Sequence, residues 1–177
     1  MIRTRVGYTG GTKSDPVYHA LGDHSEAVEL DYDPAVITYQ ELLATFFAGH
    51  DATRPAVSRQ YISAVFYHDA EQQRLAVEAK TALERKLGET VHTEIVPAST
   101  FYLAEDYHQK YGLQGDRLVM DEYRRMYPDF WDIVDSTSAT RANAYLYGYG
   151  TAERLRSELD SLGLSKEAEG RLLSRVE

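Results

Sequence analysis

The hydrophobic period changes from two residues to a helical repeat in the middle of the chain, and this change constrains the fold most strongly. Residues 61–67 contain a short, mostly apolar run typical of a buried strand. Asp69 then provides an N-cap for a helical pattern over residues 70–87, which Gly88 ends. A second strand pattern follows at residues 92–96. This order of strand, capped helix and strand predicts a protein that combines a sheet with helices.

The first quarter of the chain predicts two more strands and one more helix. Apolar and polar residues alternate over residues 2–8 and again over residues 25–32. Thr38, with Glu41 three residues later, forms a capping-box pattern before a helix over residues 39–48. Because strands and helices alternate with short, irregular connections, we expect the α+β class, with a single mixed or antiparallel sheet flanked by helices.

The second half of the chain predicts only helices after residue 105. Helical patterns rich in tyrosine and charge lie around residues 105–112, 119–126 and 129–135. Two amphipathic helices follow at about 151–161 and 165–175. We therefore expect a main domain over residues 1–150 and a C-terminal helical appendage over residues 151–177, packed on the main domain or on a partner.

Composition excludes several classes of protein. The 177 residues contain no cysteine, which rules out a disulfide framework, a cysteine-ligated metal and a thiol nucleophile within this chain. A net charge of -9 argues against binding to nucleic acid or to an anionic membrane. No apolar run is long enough for a membrane span or a signal peptide, so we expect a cytoplasmic protein. The six histidines lack metal-site spacing, and we expect no cofactor.

Three polar side chains from separate segments form the first candidate site. Tyr18, Glu26 and Tyr61 are each predicted to lie in a loop or at the end of a strand. If they converge, one carboxyl group and two phenols surround a small cavity and can donate hydrogen bonds to a polarised oxygen. Alternatively, each tyrosine packs in the core and Glu26 is an exposed strand residue. The residue types alone leave both interpretations open.

Several segments, in this order and spacing, resemble the type A peptide methionine sulfoxide reductases. The most specific are residues 22–26 (Gly-Asp-His-Ser-Glu) and residues 104–109 (Ala-Glu-Asp-Tyr-His-Gln). Residues 5–11, 15–18 and 50–53 also agree with the family pattern, and the resemblance covers about residues 1–111. In that family a glutamate and two tyrosines bind the sulfoxide oxygen. By position, the resemblance implies this role for Glu26, Tyr18 and Tyr61.

The chain also departs from the family pattern. The family's cysteine nucleophile, in a Gly-Cys-Phe-Trp-Gly motif, and the phenylalanine and tryptophan that hold the substrate methyl group have no counterpart here. The loop between Thr53 and Gln60 is shorter and lacks the family's aspartate, and Ile62 stands where an arginine is usual. Either the start of the protein is misplaced, or the protein has diverged. The shortened loop favours divergence, because it lies downstream of any error in the start.

Three functions follow from this resemblance and its departures. The first is a peptide-methionine (S)-S-oxide reductase that is inactive in this form because it lacks the nucleophile, and so a possible pseudoenzyme. The second is a cysteine-free module that binds a sulfoxide or another small polar molecule. The third is a non-redox enzyme in which Glu26 is the general acid or base. We expect a monomer that binds a methionine sulfoxide-like ligand, with a dimer through the C-terminal helices as the alternative.

Overall fold

The computed structural model describes all 177 residues and confirms the α+β class. The strands are β1 (Arg3–Thr9), β2 (Ser25–Asp31), β3 (Ala64–Tyr67), β4 (Glu94–Pro97) and β5 (Tyr102–Leu103). The helices are α1 (Tyr39–Ala48), α2 (Ala70–Leu87), α3 (Tyr111–Gln114), α4 (Arg117–Met126), α5 (Phe130–Asp135), α6 (Thr137–Leu146), α7 (Ala152–Leu162) and α8 (Lys166–Val176). None of these helices combines the length and the hydropathy needed to cross a bilayer.

The strands form two sheets, so the prediction of a single sheet is wrong. One sheet has the order β2-β1-β5, with β5 antiparallel to β1, and the other pairs β3 with β4 in parallel. Hydrogen bonds that involve side chains, instead of strand pairing, connect the end of β1 to the residues that follow β4. Thr9 Oγ1 donates to the carbonyl of Thr100 at 3.0 Å, and the amide of Gly10 donates to Ser99 Oγ at 3.2 Å. These bonds satisfy the end of β1 without strand pairing to β4.

The two helices predicted from capping signals begin and end at the predicted residues. Thr38 and Glu41 form both bonds of a capping box at α1. At α2, Asp69 accepts a hydrogen bond from the amide of Gln72 at 2.8 Å. Gly88 ends this helix with a φ of 69°, a conformation that favours glycine. The strand predicted over residues 61–67 begins only at Ala64, because residues 59–61 form a 3-10 turn.

The chain divides into two compact units, which we call the helical unit and the mixed unit. The helical unit contains Met1–Arg5, Val28–Tyr32 and Glu105–Glu177, and the mixed unit contains Val6–Ala27 and Asp33–Ala104. The helices α3 to α8 belong to the helical unit, whereas α1, α2 and the β3–β4 sheet belong to the mixed unit. The domain boundary predicted at residue 150 stays a prediction.

The helical unit is built around one continuous apolar core. Fourteen buried side chains from α3 to α8 and their connections form this core, and Leu113, Leu155 and Leu172 are fully buried in it. Polar side chains fix the ends of the helices. The Glu122 carboxylate accepts from the amide of Ser165 at 2.7 Å at the start of α8, and Arg171 donates to Asp116 at 2.6 Å. The last two helices therefore share their core with α3 to α6.

The mixed unit has a much smaller apolar core. Tyr8, Leu21 and Ala104 form a cluster of buried hydrophobic side chains in this unit, with Tyr18 and neighbouring residues packed against it. All four residues of β3 are only partly buried, although the sequence predicted a strand buried on both faces. The reason is that β3 belongs to a two-stranded sheet with one helix, α2, packed on it. The candidate site lies in this unit.

Candidate active site

The mixed unit brings Tyr18, Glu26 and Tyr61 together. Glu26 is the second residue of β2 and is exposed. Tyr61 ends the 3-10 turn over residues 59–61 and is 54% exposed. Tyr18 lies in a turn closed by a hydrogen bond of 2.8 Å from the amide of Ala20 to the carbonyl of Val17. These three side chains come from separate segments and meet at the surface of one unit.

Gln60 links the members of this cluster. Its Nε2 donates to Glu26 Oε1 at 2.7 Å and to the Tyr61 hydroxyl oxygen at 3.1 Å. The Tyr61 hydroxyl is in turn hydrogen-bonded to that of Tyr18. The result is a connected network of one carboxyl group, one amide and two phenols. Gln60 was not predicted to be a site residue, although its position directly before Tyr61 was a usable signal.

The environment keeps the Tyr61 hydroxyl protonated. Its hydrogen bond with Tyr18 raises the pKa of Tyr61 above the ordinary value, and desolvation and the nearby charge of Glu26 act in the same direction. Tyr61 is therefore a phenol across the physiological pH range. A phenol in this position can donate a hydrogen bond to an oxygen that only accepts.

Ser25 explains why the turn and the strand meet. The Ser25 side chain is buried, and its Oγ donates to the carbonyl of Arg59 at 2.8 Å. Because consecutive strand residues point to opposite faces, a buried Ser25 places Glu26 on the exposed face. In β2, Ser25 therefore binds Arg59, the first residue of the 3-10 turn, and the next residue, Glu26, presents its carboxyl group on the exposed face. This arrangement brings Gln60 and Tyr61 within reach of Glu26.

The residues that precede Glu26 in its motif hold the neighbouring loop. His24 is buried, and its Nδ1 accepts from the amide of Gly11 at 3.2 Å, while Nε2 donates to the carbonyl of Lys13 at 2.8 Å. Asp23 accepts from the amide of Thr12 at 2.8 Å, and these hydrogen bonds lower the pKa of Asp23 to about 2. These side chains therefore have structural roles, and Glu26 is the motif residue that faces the site.

An open groove of about 560 Å³ begins at Tyr61. Pro55, Ala56 and Ile62 provide apolar surface, and the polar lining includes His50, Arg54, Asp51, Arg59, His92 and Glu94. Arg59 Nη1 donates to both Glu94 oxygens, at 2.8 and 3.0 Å. The groove is therefore a mixed apolar and polar surface, and Tyr61 belongs both to its lining and to the cluster with Tyr18 and Glu26. His50 and His92 belong to this lining, and no group of three or more potential ligands could hold a metal ion.

Comparisons with known proteins show the family to which the chain belongs. The sequence profile of the family described as "Peptide methionine sulfoxide reductase" matches residues 1–127. A peptide methionine sulfoxide reductase of Drosophila melanogaster is 41% identical over 168 residues, which cover 93% of this chain and 67% of the fly protein. Peptide methionine sulfoxide reductase MsrA of Methanococcoides burtonii is 46% identical over 122 residues, or 63% of this chain and 80% of that protein. The chain belongs to the peptide methionine sulfoxide reductase family and is of the MsrA type.

A solved structure and the extent of the sequence matches add detail. The reduced form of Mxr1 from Saccharomyces cerevisiae has a TM-score of 0.58 and 31% sequence identity, covering 64% of this chain and 70% of the yeast protein. Peptide methionine sulfoxide reductase A5 of rice is 36% identical over 173 residues, covering 92% of this chain. The chain spans about two thirds of the length of the fly and rice relatives, 67% and 66%. The matches to these two relatives extend into the C-terminal helices, because each covers more than nine tenths of this chain.

Proposed function

We propose that Tyr18, Glu26 and Tyr61 bind the oxygen of a methionine sulfoxide, and that these 177 residues do not reduce it unaided. The observation that carries the proposal is the hydrogen-bonded network that joins both phenols and the carboxyl group, with Tyr61 also lining the groove. A sulfoxide oxygen carries partial negative charge and only accepts hydrogen bonds. The two phenols are donors suited to such an oxygen, and the carboxyl group can also donate to it when it carries a proton.

The groove beside Tyr61 supports a substrate larger than the sulfoxide group alone. Its volume of about 560 Å³ is within the range of small-molecule sites. Its lining contains apolar residues, among them Pro55, Ala56 and Ile62, as well as charged ones. A methionine sulfoxide within a peptide fits this surface, because its side chain is apolar apart from the sulfoxide and its backbone is polar.

The redox step needs a group that this chain does not contain. Reduction of a sulfoxide consumes two thiols and yields a thioether, a disulfide and water. The first thiolate attacks sulfur, the oxygen leaves as a sulfenic acid on that thiol, and the second thiol displaces it as water. No residue among the 177 is a cysteine. We therefore propose that this chain binds and polarises the sulfoxide, and that the thiols come from elsewhere.

A titration with N-acetyl-methionine-(S)-sulfoxide methylamide tests oxygen binding. In ¹H–¹⁵N NMR spectra we expect shifts at residues 18, 26, 60 and 61, and we expect none with the matching thioether. Tyr18→Phe, Glu26→Ala and Tyr61→Phe each remove a possible donor and should each raise Kd about tenfold, the effect of losing one hydrogen bond to a polarised group. Tyr149→Phe and Glu89→Ala are matched controls at exposed positions. Equal affinity for sulfoxide and thioether would contradict the proposal.

Turnover is measured in the same samples. With dithiothreitol as the only thiol, HPLC of a dabsylated methionine (S)-sulfoxide should show no enzyme-like rate, which means less than about 0.1 per second. A faster rate that depends on the protein would show that an external thiol is a sufficient nucleophile. The sequence-based predictions of a cytoplasmic location and of a monomer are part of this proposal, and gel filtration tests the second.

A further inference from the structure

We propose that Gln60 is a positioning residue of the oxygen-binding site, which sets where Glu26 and Tyr61 present their protons. This inference rests on the proposed function of the same site. Gln60 Nε2 lies 2.7 Å from Glu26 Oε1 and 3.1 Å from the Tyr61 hydroxyl oxygen. Its side-chain amide contacts both the carboxyl group and a phenol.

The chemistry of an amide nitrogen fixes the direction of both hydrogen bonds. An amide NH₂ group has two protons and donates them, so Glu26 Oε1 and the Tyr61 oxygen are both acceptors. A hydroxyl that accepts from Gln60 points its own proton away from Gln60, where Tyr18 or a ligand oxygen can accept it. At Glu26, occupation of Oε1 directs protonation to Oε2. Gln60 therefore orders the donors of the whole cluster.

The neutral charge of the Gln60 side chain is as important to this role as its position between Glu26 and Tyr61. Glu26 can donate to a sulfoxide oxygen only when it is protonated, because a carboxylate only accepts. A cation at the position of Gln60 would favour the carboxylate and oppose that protonation. A neutral amide holds Oε1 in place without a positive charge. The residue type at position 60 therefore suits a carboxyl group that must gain a proton when the ligand binds.

Burial explains why Gln60, and not its partners, can fix the geometry. Glu26 and Tyr61 are exposed, and exposed long side chains sample several rotamers. Gln60 is half-buried in the 3-10 turn, whose first carbonyl is held by the buried Ser25. A group anchored in this way can restrict two mobile neighbours at once. Such restriction favours binding, because less freedom is lost when the ligand arrives.

Two substitutions at position 60 give opposite expected shifts. Gln60→Met has a similar length and no donor, whereas Gln60→Arg has a charged donor. With N-acetyl-methionine-(S)-sulfoxide methylamide, we expect Gln60→Met to raise Kd about tenfold at neutral pH. We expect the pH at which binding is half lost to rise in Gln60→Met and to fall by about one unit in Gln60→Arg. A purely structural role would not move the two profiles in opposite directions.

The control is Gln40→Met, at an exposed position of α1, and it should leave both Kd and the pH profile unchanged. Profiles of both Gln60 variants that coincide with the unsubstituted protein would overturn the inference.

A titration without ligand separates this inference from the proposed function. In protein labelled with ¹³C at the ring carbons of tyrosine, the Tyr61 hydroxyl can be titrated directly. The phenolate of Tyr61 loses a donor in Gln60→Met, so the pKa of Tyr61 should rise further in that variant. An unchanged Tyr61 titration would refute the role of Gln60, even if the unsubstituted protein binds sulfoxide. If the pKa rises but no sulfoxide binds, the role of Gln60 stands and the proposed function fails.

Discussion

The helical unit and the mixed unit are stabilised by different kinds of interaction. The helical unit has fourteen buried hydrophobic side chains in one core, whereas the mixed unit has a cluster of three. In the mixed unit, polar side chains hold the loops instead: His24, Asp23 and Ser25 each bind the backbone of another segment. A shared apolar core stabilises all the helices that contribute to it, whereas hydrogen bonds from single polar side chains fix the positions of particular loops.

This difference shows that the residues that position the candidate site and the residues that contribute most to stability lie in different units. The anchors of the mixed unit lie in the same short motif as Glu26 and determine where that carboxyl group is presented. The core of the helical unit contains no member of the oxygen-binding cluster. Substitutions in the helical core should therefore change stability most, and substitutions at the anchors should change the site most.

The largest effect should come from shortening a core side chain of the helical unit. Leu172 is fully buried, and Leu172→Ala should lower the free energy of unfolding by about 3 kcal/mol. Leu43 is the single buried residue of α1, and Leu43→Ala should cost less, about 2 kcal/mol, because its surroundings are partly exposed and can relax. Urea unfolding, with hydrogen exchange to resolve the two units, measures both values. A larger loss for Leu43→Ala would reverse the comparison.

A smaller effect should appear in the dependence of stability on pH. Lys110 is buried in the helical unit and donates to the Thr4 carbonyl, and burial lowers the pKa of Lys110 to about 8. Above pH 8 the unfolded chain keeps this proton while the folded chain loses it, so stability should rise up to about pH 10. The expected gain is about 2 kcal/mol, allowing for partial solvent screening. Burial raises the pKa of Tyr123 to about 12, which lowers stability again above pH 10.

Lys110→Met provides the control for this dependence. Urea midpoints from pH 7 to pH 10 should be nearly flat in that variant, because no buried amine remains to titrate. An unchanged rise in Lys110→Met would assign the effect to other groups.

The smallest effects should be equal in the two units. Thr38 caps α1 in the mixed unit, and Thr151 caps α7 in the helical unit, where its Oγ1 accepts from the amide of Arg154 at 3.1 Å. Thr38→Ala and Thr151→Ala should each cost about 1 kcal/mol, since a cap acts locally and does not depend on the core. Thr→Ser at either position should restore most of the loss. Costs that differ by more than about 1 kcal/mol would show that the units also differ in local helix stability.

Local signals made some elements predictable and others not. The bounds of α1 and α2 follow from caps that are visible in the sequence, at Thr38, Asp69 and Gly88. Residues 137–146, which form α6, lack large apolar residues at helical spacing, and their burial depends on small side chains such as Ala139 and Ala142. The two-residue strand β5 exists only because β1 lies beside it. Such elements depend on tertiary contacts that no local pattern records.

The alternation in β2 predicted a strand but not the face that is buried. Val28 is 57% exposed, whereas Glu29 is partly buried and forms an ion pair with Arg5. A partner 24 positions away in the sequence decides this orientation. The candidate site was predictable in a similar, partial way. Glu26, Tyr18 and Tyr61 were candidates from their residue types and positions, and the resemblance to a family implied their role, whereas Gln60 was identified from its two hydrogen bonds.

The bond from Ser25 to the Arg59 carbonyl has a consequence for how this protein can change. This bond holds the C-terminal end of the loop between Thr53 and Gln60 on β2. The loop can therefore become longer or shorter while the position of Arg59 stays fixed. Residues 54–56 and 58 line the groove, but none of them belongs to the oxygen-binding cluster. Insertions there would change the shape of the groove and leave the proposed oxygen-binding residues in place. The loop between Thr53 and Gln60 can therefore change in evolution independently of Tyr18, Glu26 and Tyr61.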